Sequence, residues 1–486
     1  AFKDPVTFTT TGTFNLAHNL AASGTTNAAF TIDGPLNWTG GGISTNSGVI
    51  TINGNVTLGG AGSARTLTTS TGAITLGAST SNTVTGNGVD LTINSGSATT
   101  TINSVLDGIG ALGLGTSNQT GDMYLLSAIS AASLNTGATS YNITFGAPAQ
   151  SISSIQLTSD NGYYLYLNGT YLGAGHDWGS VQTYTSLATL NGANTVAVFA
   201  INDGGPAGIQ GLITLSNGVV YGTSSSWLGT ITNPTTKTVG YDATWTVNNM
   251  AWTLPGYSTS SWIAPYTAAN NSGPWGSKVN NANALWIWPE SGFTGGGGAA
   301  AWFVFSFNAN TTGGTSNVSI GSATTFNNKG NLNFNSSGTY SFAGNLSAAA
   351  QSNISMNGTL SVDGTVQMGG VATPVVLAGN TTINTSSANS GTGANISIGG
   401  TVNGAYTLTL NAGTKDINVT GVIGGVTPLA ALNVTGNFTD NSNLSATSFS
   451  SGAGAYNLAF LGSSTRITDA ITFANTGTLQ IGDSAT

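Results

Sequence analysis

Cysteine is absent from the 486 residues, which excludes disulfides and thiolate metal sites. Stability must come from buried apolar surface and hydrogen-bond ladders. Charge is almost as scarce. Lys and Arg total 7, His 2, and Asp plus Glu 15, with Glu290 the only glutamate, so 5% of residues are charged against roughly 25% in an average soluble domain. Seven scattered cations without a basic run cannot neutralise a row of phosphates, so nucleic acid is excluded as a partner. No apolar stretch reaches the roughly 18 residues of a membrane helix. Ala1 opens the chain without a basic and then apolar leader, and the expectation is a mature chain whose signal peptide has been removed.

Catalysis lacks its parts as well. Glycosidases need two carboxylates facing one another, whereas the acids here are spread thinly, with no DD, DxD or ExxD cluster. His18 stands beside Asn19 and His176 beside Asp177, yet a triad also needs a placed nucleophile, and there is no GxSxG. The GGGG run at 295–298 has no Lys-Ser/Thr behind it and reads as a flexible link, not a phosphate loop. The expectation is a non-enzyme.

What the chain has is glycine (71 residues), abundant Ser, Thr and Asn, and an apolar share of 39%. That share is too high for a disordered polar tail. Apolar residues fall in short alternating runs such as VITINGNVTL at 49–58 and NISMNGTLSV at 353–362, the period of strands with one buried face. Asn-Gly, Gly-Gly and Ser-Gly pairs punctuate them where the chain turns. Asn-x-Ser/Thr sequons occur at Asn55, Asn142, Asn317, Asn418 and Asn433, as so Asn-rich a composition produces by chance.

The chain also repeats itself. Residues 7–16 read TFTTTGTFNL, 325–334 TFNNKGNLNF and 472–481 TFANTGTLQI; the last two motifs lie 147 residues apart. LTIN at 91–94 corresponds to LTLN at 408–411, and 129–145 aligns without gaps to 444–460. Between the copies the first unit is too long, and the excess holds nine of the ten tryptophans. The expected division is 1–149 repeat unit one, 150–308 an inserted module, 309–460 repeat unit two, and 461–486 the start of a third unit.

Two arrangements of such strands compete, a sandwich of hairpins and a parallel coil. The units hold few large aromatics for a sandwich, and the coil is preferred: an all-β, right-handed parallel β-helix with roughly 20 to 25 residues per coil. Six or seven coils per unit then span about 30 Å. The stretch YTLTLNAGTKDINVTGVIGGVTPLAALNVTG at 406–436 resembles the repeats of filamentous-haemagglutinin-type and autotransporter-like bacterial adhesins. That resemblance implies a secreted, β-helical surface protein. In the module, DNGYYLYLNG at 160–169, then Trp178, then NTVAVFAINDGGPAGIQG at 194–211 resemble the galactose-binding-like jelly roll, a β-sandwich. ALWIWP and AWFVFSF follow that block where the family places them first, which suggests a circular permutation.

Site residues are expected in two places. In the module, Trp227, Trp245, Trp252, Trp262 and Trp275 sit among Gly, Ser, Thr and Pro and are candidates to stack on sugar rings, against the plainer reading that they fill the core. Galactose-binding-like modules often carry a structural calcium, for which Asp160, Asn161, Asp177, Asn202 and Asp203 could supply oxygens; turn-forming Asx residues explain the same letters. No other cofactor is expected. At the coil ends, Thr7, Phe8, Phe14, Thr472, Phe473, Leu479 and Ile481 would form an assembly edge. The chain stops partway into a third unit, so it is either one period of a longer polypeptide or a subunit completed by its neighbour, unless the remnant is merely a cap. The functional expectation is a structural subunit of an extracellular fibre or surface layer, stacked head to tail on copies of itself, with the module projecting sideways. The alternative is an adhesin segment whose module binds surface or matrix glycans and whose coil is a stalk.

Overall fold

In the computed structural model the described residues are 2–22, 28–60, 63–115, 118–146, 151–187, 193–216, 218–255, 257–269, 275–293, 298–308, 317–386, 392–469 and 471–482. The boundaries expected near 150 and 309, and Gly295, Gly296 and Gly297, lie outside them. Two compact units result, Ala1–Pro148 with Thr312–Thr486, and Ala149–Thr311. Among the described residues the helical segments are short 3₁₀ turns, and no helix is long and apolar enough to cross a membrane.

The first unit is a parallel β-helix. One face can be followed strand by strand through Val6, Phe30, Ile50, Ile74, Thr100, Met123, Ile143, Leu332, Ile354, Val375, Val402, Ile423, Leu444 and Thr465, each pairing in parallel with the next. That is fourteen coils among the described residues. Successive partners lie 20 to 27 residues apart, except where Ile143 meets Leu332. A second face runs from Phe14 to Ile471 and a third from Leu20 to Leu479. The alternation read in the sequence is the reason: on every face one residue in two points into a single continuous core, and each coil buries its apolar side only against its neighbours.

Corners are shaped by close approach. A Cβ on Gly48 would stand 2.0 Å from the Ala28 carbonyl oxygen, one on Gly72 2.1 Å from that of Gly48, and one on Gly121 1.8 Å from that of Ala98. Only glycine lets the backbone of one coil lie directly on the next at these points.

Asparagine has its own role. Asn55, Asn142, Asn317, Asn345 and Asn457 stand directly ahead of strands, and the Oδ1 of each accepts a backbone N–H one coil further on, from Thr83, Asn331, Thr339, Thr365 and Thr478 respectively. The side-chain amide thus stands in for a ladder carbonyl where the strand has not yet begun. Four of these residues (Asn55, Asn142, Asn317 and Asn345) head sequons, so the ladder explains the asparagines without any glycan. Asn142→Ala, which strips the Asn331 N–H of its 2.7 Å partner, is expected to lower stability in urea by about 1 kcal/mol. Asn142→Asp keeps the acceptor and should recover most of it; equal losses in both variants would refute the ladder role.

Sequence repeat and coil do not share a period. The motif at Thr7 begins on the first face of the first coil, that at Thr325 on the third face of the seventh, and that at Thr472 on the second face of the fourteenth. One repeat therefore advances six and two-thirds coils, and successive repeats present the same motif on successive faces. The second unit enters where the seventh coil passes from its first face (Ile143–Phe145) to its second (Val318–Ile320).

That second unit consists of two antiparallel sheets. One orders Gln182–Leu187, Ile152–Asp160, Gly208–Leu215, Trp286–Trp288 and Tyr266–Ala268, with Val220–Gly222 paired to Gly208–Leu215; the other orders Thr170–Gly175, Gly162–Leu167, Ala193–Asn202, Ala299–Asn308 and Leu228–Thr230. Residues of both sheets share one core, among them Ile155, Leu157, Leu165, Val198, Trp288 and Phe303. The second sheet is covered on its other face too, where Tyr164, Tyr166, Phe199 and Trp302 pack against Trp245, Met250 and Trp252.

Candidate functional site

The first and last described coils leave partly exposed the side chains whose counterparts one coil inward are buried. Ile471, Phe473, Leu479 and Ile481 are 48%, 42%, 43% and 72% exposed, whereas their counterparts one coil earlier, Phe449, Leu458 and Phe460, are buried. Phe473 lies against Phe449 (5.6 Å), and Thr472 is exposed beside it. At the other end Val6, Phe8 and Phe14 are half-buried against the core, the rings of Phe8 and Phe14 stacked at 4.6 Å, with Thr7 exposed between them. Sequence reasoning placed these residues together, and they occupy the first and last described coils.

The tryptophans proposed as sugar platforms need correction. Trp227, Trp245, Trp252 and Trp275 are buried and offer no open ring face. Trp227 stacks on Phe305 and donates to the Gly222 carbonyl. Trp245 lies on Phe199 and donates to the Thr238 carbonyl. Trp275 stacks on Trp286 and donates to Asp160 at 2.6 Å. Only Trp262 keeps part of its ring in solvent, tilted over Trp252 and edge-on to Tyr257. The sequence held the missed signal. GYYLYL and AWFVF are apolar on both strand faces, which requires a second cover, and the Gly/Ser-rich segment carrying Trp245 and Trp252 supplies it.

The candidate calcium residues fall into two groups. Asp160, Asn161, Asn202 and Asp203 share one rim. Asp160 is buried, and burial raises its pKa against the lowering effect of the Trp275 N–H; Asp203 adds repulsion. The Asn161 Oδ1 accepts the Asp203 N–H at 2.6 Å, the Asn202 Oδ1 accepts that of Gly204 at 3.3 Å, and the Tyr241 hydroxyl donates to Asp203. Asp177 closes its own turn instead. Its carboxylate accepts from Ser180 and from the Gly179 N–H, in that order the causes of its lowered pKa. Asp160 Oδ2, Asn161 Oδ1, Asn202 Oδ1, Asp203 Oδ2 and both Asp177 oxygens thus already accept N–H or O–H donors. No group of three or more His, Cys, Asp or Glu side chains that could hold a metal occurs among the described residues. His176, also at this rim, packs its ring on Tyr241 at 4.6 Å.

An exposed ring not among the five is Trp178, 37% exposed with the Lys278 ammonium 4.6 Å from its centroid, a cation–π contact.

No protein-family model, no curated protein and no solved structure matches this chain. The resemblances to haemagglutinin-type repeats and to the galactose-binding-like module therefore rest on the quoted motifs alone, and the coarser reading, a repetitive β-helix, is the one the structure supports.

Proposed function

We propose that this chain is a structural subunit of an extracellular fibre or surface layer, in which the last coil of one copy stacks on the first coil of the next. The observation that carries this reading is the row of apolar side chains at the last described coil. Ile471, Phe473, Leu479 and Ile481 continue columns that are buried in the preceding coils, yet stand 42% to 72% exposed. Such an apolar edge is a template for another strand. A second copy fits it without rearrangement, because both ends present the same three faces in the same order. Stacked in phase, Thr465–Ile467 pairs with Val6–Thr9 of the next copy and Leu479–Ile481 with Leu20–Ala21. The scarcity of charge, 5% of residues, suits close lateral packing of such stacks. The export setting rests on composition: no cysteine, little charge, much Thr, Asn and Gly.

The rival reading, a monomeric glycan-binding stalk, loses four of its five platform rings to burial. Electron cryo-microscopy of the native material separates the two. In-phase stacking of fourteen coils at about 4.8 Å predicts an axial repeat of about 67 Å. Single rods that stay monomeric at high concentration would end the fibre reading.

A further inference from the structure

When copies stack in phase, the first and last described coils meet on three faces, and on the third the joint is more than two edges laid together. One inward column of that face runs from Leu20 and Ile43 to Phe460 and Ile481. In-phase stacking continues the column, so Ile481 of one copy lies over Leu20 of the next. Gly482, whose N–H donates to the Phe460 carbonyl at 2.7 Å, then lies over Ala21. The next place along that strand falls over Ala22.

The incoming copy already fills that place. Phe2 bridges in parallel to Ala22, and its N–H donates to the Ala21 carbonyl at 3.0 Å. Ile481 and Phe2 of the next copy thus stand two places apart along one strand, and side chains so spaced point to the same side. Both have apolar surface to cover. Ile481 is 72% exposed, and Phe2 keeps 42% of its surface in solvent although its ring lies edge-on to Phe30 at 5.9 Å. Phe2 also stops the strand. A slip of one residue would turn every side chain of Leu479–Ile481 to the wrong side, and any forward slip would drive the strand into Phe2.

We propose that Phe2 is the register-setting contact of the joint. The third-face strand of each last described coil is continued by Phe2 of the following copy, whose ring packs beside Ile481. The assignment rests on the stacking reading and adds to it a shared strand, a named contact and a fixed register.

The absence of cysteine from the chain makes a disulfide test clean. With Phe2→Cys and Gly482→Cys in one full chain, the two thiols sit at opposite ends of the coil stack, so no disulfide can close within a copy. A Cβ at Gly482 meets nothing within 4 Å. At the joint the two positions are neighbours on one strand, within reach of the roughly 4.4–6.8 Å Cα separation of a disulfide. Fibres grown under reducing conditions and then oxidised are expected to give a ladder of covalent oligomers on non-reducing gels, lost again on reduction. Phe2→Cys combined with Val426→Cys, away from the coil ends, should give none. Independently, Phe2→Asp should raise the concentration needed for growth at least about tenfold, since it sets an unpaired carboxylate in the joint. Phe2→Leu, which keeps the apolar contact, should stay within about twofold, and both variants should melt as the wild type does. The proposal is overturned if wild-type fibres grow but the paired cysteines give no ladder, or if Phe2→Asp grows at the wild-type concentration. Should wild-type chains not stack at all, the stacking reading fails and this assignment with it. Should the cysteine pair itself not assemble, Phe2→Asp against Phe2→Leu alone decides.

Discussion

Phe473→Asp combined with Ile481→Asp is expected to leave the chain folded and to stop end-to-end growth. Both side chains sit on the final coil, Ile481 paired over Phe460 and Phe473 against the ring of Phe449. Being 42% and 72% exposed already, they cost the isolated chain little when replaced, within about a kcal/mol. At a joint the balance reverses. Covering such side chains by the next copy is worth about 1.5–3 kcal/mol each when burial is complete, and a carboxylate there would have to be buried without a partner. A loss of about 3 kcal/mol at the joint raises the concentration needed for growth roughly a hundredfold. Light scattering and sedimentation across a concentration series would read this directly. Val426→Asp, which places the same charge at a position 87% exposed but away from the coil ends, should grow fibres normally. Growth of the double variant at the wild-type concentration would sink the stacking model, whereas a block by Val426→Asp as well would show only a general charge effect.

The second large effect concerns Asp440. It lies in the twelfth coil, in register between Val419 and Phe460, and its side chain is fully buried. Its Oδ1 accepts the Ser442 N–H at 3.3 Å, while its Oδ2 has no hydrogen-bond partner among the described residues. Burial pushes its pKa from 3.8 up to about 6, the Ser442 N–H opposing. The folded chain thus holds this proton more tightly than the unfolded one. The associated stability is fully present below about pH 4, is lost as the pH rises towards 6, and stays lost above it. Two pKa units correspond to about 3 kcal/mol. Asp440→Asn, neutral at all pH, should flatten this dependence and raise stability near pH 7 by about 1–3 kcal/mol, the amide's own unpaired group offsetting part of the gain. Urea midpoints of both chains between pH 4 and 7.5 would show it. A variant whose midpoint falls in parallel with the wild type over that range would locate the pH dependence elsewhere.

Much of this architecture was legible in the residues. Val, Ile and Leu alternate with Thr, Ser and Asn in runs too short for helices and too small for a hairpin sandwich. A coil stacked on its neighbours is the arrangement that buries one face of every such run. The rows beginning at Thr7, Thr325 and Thr472 marked the repeat, and the cluster of tryptophans marked where it is interrupted. Burial in the two-sheet unit was read less well. Trp245 and Trp252 lie in Gly- and Ser-rich surroundings that look like exposed loops, and only the packing of those turns over Tyr166, Phe199 and Trp302 reveals them as a cover. In the same way, nothing in the letters of Asp160 or Asn161 says that the Trp275 indole and the Asp203 amide have already taken their oxygens.

By itself, then, the amino-acid sequence determined that the chain is all-β, that it coils, that it repeats and that a second unit interrupts it, because period-two alternation, turn residues and self-similarity are local properties carried along the strand. Tertiary structure alone decided the phase of the repeat, its advance of six and two-thirds coils, and the faces on which equivalent motifs stand, since corner lengths accumulate over hundreds of residues. It also decided which aromatic rings meet solvent, because burial depends on what packs against a residue from far along the chain.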